Sequence, residues 1–139
     1  MCLFFLLLLL IHSTVQECVR VKGQVACATD KHRIERVKVF LFDRDVLPWE
    51  FDDLMGEELT GDDGSFTVEG CGDDLGWWNE PDPYIQIDHR CPEGGHNVAI
   101  TLRHTIIFLP RTFLPNETII EEPIRLDENQ VEKSYAFMS

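Results

Sequence analysis

Hydrophobic and polar residues alternate with a period of two along most of the chain. Val19, Val21, Val25 and Cys27 are separated by Arg20, Lys22 and Gln24, the spacing of a strand with one buried face. Gly23 falls inside this pattern and marks either a bulge or a close backbone approach. Val37, Val39 and Leu41 repeat the alternation, while Phe40 and Phe42 make the opposite face apolar too, which predicts a central strand. A loop from Asp43 to Met55 follows. Asp62-Asp63-Gly64 then supplies turn chemistry between two β-prone runs, with Phe66 and Val68 pointing inward. Beyond a loop from Gly70 to Asp82, Pro83 opens a strand through Tyr84, Ile85 and Ile87, a position where its missing N–H does least harm. Val98, Ile100 and Leu102 alternate again and lead to Ile106, Ile107 and Phe108. Thr118–Ile120 and Ile124–Leu126 are two last short strands, parted by Pro123. No segment keeps helical periodicity over ten residues. The pattern predicts an all-β sandwich of seven to eight strands.

The first residues break this pattern. Leu3 to Ile11 is an unbroken apolar run with no charge before Glu17. It is too short to cross a hydrocarbon layer of about 30 Å and suits the hydrophobic region of a secretory signal. The expected organisation is a signal over residues 1–16, a β-sandwich domain over 17–127 and a polar, flexible tail over 128–139. No other stretch resembles a membrane span. Of five cysteines, Cys2 leaves with the signal, and Cys18, Cys27, Cys71 and Cys91 remain. An even number in a small exported domain reads as two disulfides, with three connectivities open. Asn116-Glu117-Thr118 is a glycosylation sequon, which places Asn116 on an exposed loop. Net charge is −13. With no basic stripe to displace counterions, nucleic acid is excluded as a partner, and simple electrostatic attachment to anionic lipid is disfavoured.

Three segments narrow the fold. VKGQVAC with RVKVFLFDRD is similar to the first strand pair of prealbumin-like sandwiches. Asp52-Asp53-Leu54-Met55-Gly56-Glu57, the Thr60-x-x-x-Gly64-x-Phe66 turn and the Tyr84-Ile85-x-Ile87-x-His89-x-Cys91 strand resemble, in order and spacing, the nematode transthyretin-like proteins. The resemblance runs from about Val19 to Leu126. It implies a secreted, non-catalytic sandwich that binds a protein or another extracellular ligand by its surface. Family members usually carry a further Cys soon after the His-x-Cys strand, where this chain has Asn97 and Val98. Strand alternation therefore favours Cys27 with Cys91, leaving Cys18 with Cys71. Two other functions are consistent with the ancestry: carriage of a small hydrophobic ligand in an oligomer channel, and hydrolysis of 5-hydroxyisourate. The hydrolase type ends in Tyr-Arg-Gly-Ser, whereas this chain ends Ser134-Tyr135-Ala136-Phe137-Met138-Ser139. Without the Arg and the early His motif, nothing activates water or steadies the developing anion.

The remaining chemistry is thin. His89 and Cys91 share a strand face, but a disulfide cysteine beside a hydrogen-bonded core histidine explains them better than a nucleophile and its base. His89, Cys91 and His96 match no zinc spacing, and no metal or cofactor is expected. Asp43, Asp45, Asp52, Asp53 and Glu57 offer hard oxygen ligands, yet lack the spacing of a calcium loop. Trp77 and Trp78 are adjacent and cannot both face one core from an extended segment. These rings, with Trp49 and Phe51, either cap the ends of the sandwich or anchor a partner. As anchors, Trp77 and Trp78 lead the candidate binding loop, Gly70 to Asp82, with the Trp49 loop second.

Overall fold

The computed structural model describes residues 17–45, 49–72, 81–94, 102–128 and 137–138. Nine strands are placed there: β1 Glu17–Ala26, β2 Lys38–Asp43, β3 Asp53–Leu59, β4 Ser65–Gly72, β5 Pro83–His89, β6 Arg103–Phe108, β7 Thr118–Ile120, β8 Ile124–Arg125 and β9 Phe137–Met138. A single 3-10 turn, Lys31–Ile34, joins β1 to β2 and is capped by the Asp30 carboxylate. One sheet has the order β4-β1-β7-β9, with β8 also on β1; the other runs β3-β2-β5-β6. Pairing is antiparallel except where β7 and β8 run parallel to β1. Among the described residues no helix is long and apolar enough to cross a membrane.

The inner faces are the alternating apolar rows of the sequence. Val19, Val21, Val25, Phe66, Val68, Ile120 and Ile124 meet Val39, Leu41, Ile85, Ile87 and Ile107 in a single core. Burying rows of this kind, at roughly 25 cal/mol per Å² of apolar surface, is what sets the register of each strand. The β1–β4 ladder is continuous from Glu17 against Gly72 to Gln24 against Ser65, so Gly23 is no bulge. A Cβ there would lie 2.8 Å from the Phe66 ring; the glycine admits the ring into the core. Gly64 has φ +82°, and the Asp63 carboxylate accepts from the Ser65 N–H at 3.0 Å.

The connection from β3 to β4 carries the chain between the sheets. Within the two strands, the backbones of Gly56 in β3 and Gly70 in β4 pass so close that a Cβ on Gly56 would lie 2.2 Å from the Glu69 carbonyl oxygen, and one on Gly70 2.2 Å from that of Met55. No side chain fits at either position. Two disulfides add covalent ties: Cys18 with Cys71 across the β1–β4 ladder, and Cys27 with Cys91, which joins the ends of β1 and β5 on different sheets.

Several expected boundaries shift. Strand β3 starts at Asp53, so the loop after β2 stops short of Met55, and β4 continues through Cys71 to Gly72. The tail expected to fray returns at Phe137–Met138, which pairs antiparallel with Ile120 and Ile119 of β7. Two apolar residues find an open sheet edge there, and the polar composition of the tail concealed them.

Candidate functional site

Each strand of the β3-β2-β5-β6 sheet sends alternate residues away from the core, and the registers align them in rows. Leu54, Phe42, Tyr84 and Phe108 form one row across all four strands. Glu57, Phe40, Gln86 and Ile106 form the next, and Leu59, Lys38, Asp88 and His104 the third. The first row is nearly all aromatic. Phe42 stacks on Tyr84 with ring centroids 5.4 Å apart, Tyr84 tilts against Phe108 at 5.8 Å, and Phe40 lies 6.0 Å from Phe42. These are the offset and tilted arrangements favoured by the ring quadrupole.

Polar groups at one end of the sheet hold the row in place. The Tyr84 hydroxyl donates to the Asp52 carboxylate, whose other oxygen accepts from the Asp45 N–H at 3.0 Å. Burial, followed by that carboxylate, holds the phenol above its ordinary range. The Arg44 guanidinium lies over the Phe108 ring, 5.4 Å from its centroid, and is held by Asp82 at 3.0 Å. Cation, ring and carboxylate thus stabilise one another at the rim. At the other end, the His104 ring nitrogen lies 2.6 Å from Asp88.

Despite these ties the face is open. Phe108 is 59% exposed and Ile106 49%; Leu54, Leu59 and Leu102 are exposed as well. In the loop between β2 and β3, Trp49 is 74% exposed and Phe51 94%. Every strongly exposed large hydrophobic among the described residues therefore belongs to this sheet, to the entrance of β6, or to this loop. Exposed apolar residues gathered on one face are a candidate contact surface.

The expected site residues fall into three groups. Trp49 lies at the edge of this region, carried on the loop between two of its strands. Trp77 and Trp78 lie outside the described residues. Asn116 is exposed in the turn before β7, which contains the cis bond between Leu114 and Pro115. The acidic residues around Asp43 to Glu57 do not converge: Asp43 caps the Asp82 N–H at 2.8 Å, Asp52 serves Tyr84, and no three carboxylates, cysteines or histidines among the described residues form a metal-holding group. Asp45 is held above the usual carboxylate range by burial and by repulsion from Asp53 and Asp52.

His89 and Cys91 also resolve into structure. Cys91 is bonded to Cys27, and what meets His89 is its main-chain N–H, which donates to Nδ1 at 3.1 Å. Nδ1 must then be unprotonated, so Nε2 carries the proton and donates to Thr105 Oγ1 at 3.1 Å. His89 is 3% exposed. Burial, with Arg103 and His104 acting against the Asp88 carboxylate, pushes its pKa down to about 4. This is a neutral core histidine with both nitrogens committed.

Sequence reasoning missed the aromatic face itself. The signal was present in Phe40 and Phe42, the second apolar face of β2. It reads as burial on both sides of a central strand, and β2 is central, between β3 and β5. Among the described residues, no second layer covers its outer side.

The model of the transthyretin-like family matches residues 22–110. No curated protein matches the chain. Among solved structures, a 9R-lipoxygenase from Cyanothece aligns with 66% of this chain at 16% identity and a TM-score of 0.42, and this chain spans 13% of that one. A likeness that slight carries no argument about either fold or activity.

Proposed function

Because the chain belongs to the transthyretin-like family, we propose that it is a non-catalytic binding protein of the extracellular space, and that the outer face of the β3-β2-β5-β6 sheet is its contact surface. The observation that carries this reading is the segregation of exposed apolar residues onto that sheet and its Trp49 loop. The proposed maturation supports it. Residues 1–16 are removed as a secretory signal, the domain from about residue 17 oxidises its two disulfides, and Asn116 receives a glycan. Binding makes and breaks no bond; rings already packed against one another need little ordering before a partner covers them. Trp77 and Trp78 are proposed as a further contact element.

Immobilised mature glycoprotein, exposed to extracellular fluid and then titrated with each recovered protein, tests the reading. The partner's affinity should collapse for Ile106→Ser/Phe108→Ser and hold for Arg20→Ser/Lys22→Ser on the opposite sheet. A partner lost by the second pair and kept by the first would place the contact surface elsewhere. Unchanged binding by Trp77→Ala/Trp78→Ala would remove that loop from it.

A further inference from the structure

The charge around the aromatic face indicates what covers it. Asp53, Glu57 and Glu58 stand exposed along β3, with Glu50 in the adjoining loop, and none of the four has an ion pair among the described residues. Glu57 sits directly opposite Phe40 in the β2–β3 register. Two arginines at the same sheet are already engaged, Arg44 by Asp82 and Arg103 by Glu93. Lys38 alone among the outward residues of β2 adds a positive charge to set against four carboxylates. Behind them Asp45 feels the repulsion of Asp52 and Asp53.

The other sheet treats its acids differently. There Arg20 reaches both Glu69 and Glu117, and Lys22 also reaches Glu117. The acids facing β1 are thus neutralised, while Glu57 stands free beside the exposed rings; Glu121 and Glu122, in the turn after β7, also stand without an ion pair among the described residues. Exposed, unneutralised charge at the rim of an apolar patch steers a partner of opposite sign and repels those of like sign.

Resting on the contact surface proposed above, we infer that its partner is a cationic protein segment in which apolar residues alternate with Lys or Arg. Its apolar side chains lie on Phe40, Phe42, Ile106 and Phe108, and its cations reach Glu57 on that face and, around the free edge of β3, Glu58, which the register sets opposite Val39. A second copy of this chain would bring the same carboxylates and is disfavoured, as is an anionic surface.

The test uses the full mature protein and two synthetic peptides of about ten residues, one alternating Leu with Lys and the other Leu with Glu, titrated by calorimetry. The Leu–Lys peptide should bind, and Glu57→Lys/Glu58→Lys should weaken it about tenfold, a loss typical of a disrupted charge contact at an interface. Glu121→Lys/Glu122→Lys, an equal charge change in the exposed turn between β7 and β8, should cost less than about twofold, the residue of long-range screening alone. Equal losses at the two sites, no binding of the Leu–Lys peptide, or equal binding of the Leu–Glu peptide would overturn the cationic partner. If the Leu–Glu peptide binds and Ile106→Ser/Phe108→Ser abolishes it, the contact surface stands and the partner class falls. If that Ser pair leaves Leu–Lys binding untouched, the surface falls with it. Light scattering showing a wild-type dimer that the Ser pair dissolves would make the occupant a second copy and end the proposal.

Discussion

On the β1 side of the sandwich, outward residues are Arg20, Lys22 and Gln24: Arg20 is tied to Glu69 at 2.8 Å and Glu117 at 2.9 Å, Lys22 to Glu117 at 3.1 Å, and Gln24 donates to the Asp63 carbonyl at 2.8 Å. On the β5–β6 side they are Tyr84, Gln86, Ile106 and Phe108, with rings in contact and apolar surface in water. The two sheets have the same kind of inner row, because a shared core demands it. Their outer rows answer to no such demand. An ion-paired outer face is what solubility favours, whereas an aromatic one exposes surface that folding would rather bury. The difference between the faces therefore reports on something other than stability.

Substitutions that ignore this difference should have the largest effects. Gly56→Val or Gly70→Val drives a side chain into a backbone carbonyl where the sheets join, and should cost about 3 kcal/mol or more, read as loss of soluble protein or of a cooperative denaturation transition. Removing Cys27–Cys91, a buried tie between sheets spanning 64 residues, should lower stability by about 2–5 kcal/mol. Removing Cys18–Cys71, inside a ladder that already pairs those residues, should cost less by the same chemical denaturation.

Between about pH 6.5 and pH 4, acid should act through the core. The His89 pKa is about 4 in the folded protein against 6.5 for the free side chain, so the unfolded chain takes up the proton first as pH falls. Its contribution is complete above about pH 6.5 and declines toward pH 4, by about 3 kcal/mol. Denaturant midpoints measured across that window should flatten in His89→Gln, and an unaltered slope would remove His89 as its source.

The smallest stability effects belong to the faces, and there the two sheets part. Ile106→Ser/Phe108→Ser should cost about 1–2 kcal/mol, from the lost Tyr84 ring contact and Arg44 cation–ring contact, while abolishing binding. Arg20→Ser/Lys22→Ser should leave binding intact and shift the thermal midpoint slightly, an effect that high salt erases.

Much of this fold was legible in the residues. The period-two rows of β1, β2 and β5 are the rows that fill the core, and the alternation that seats Val25 and Ile87 inward seats Cys27 and Cys91 with them. The turn at Gly64 was carried by Asp62-Asp63-Gly64. Other features had no local signal. Gly56 and Gly70 lie 14 residues apart in the sequence and matter because two strands cross there. The return of Phe137 to β7 depends on an edge that the sheet order leaves open. The aromatic face was half legible, since Phe40 and Phe42 announce an apolar outer row. Whether a second layer covers such a row is a property of topology, and alternation alone does not carry it.

Hydrogen exchange, with the protein free and saturated with its recovered partner, tests the contact surface most directly. Added protection should fall on the amides of β6 and of the Trp49 to Leu54 segment, with β1 and β4 exchanging as in the free protein. Protection confined to β1 and β4 would contradict it.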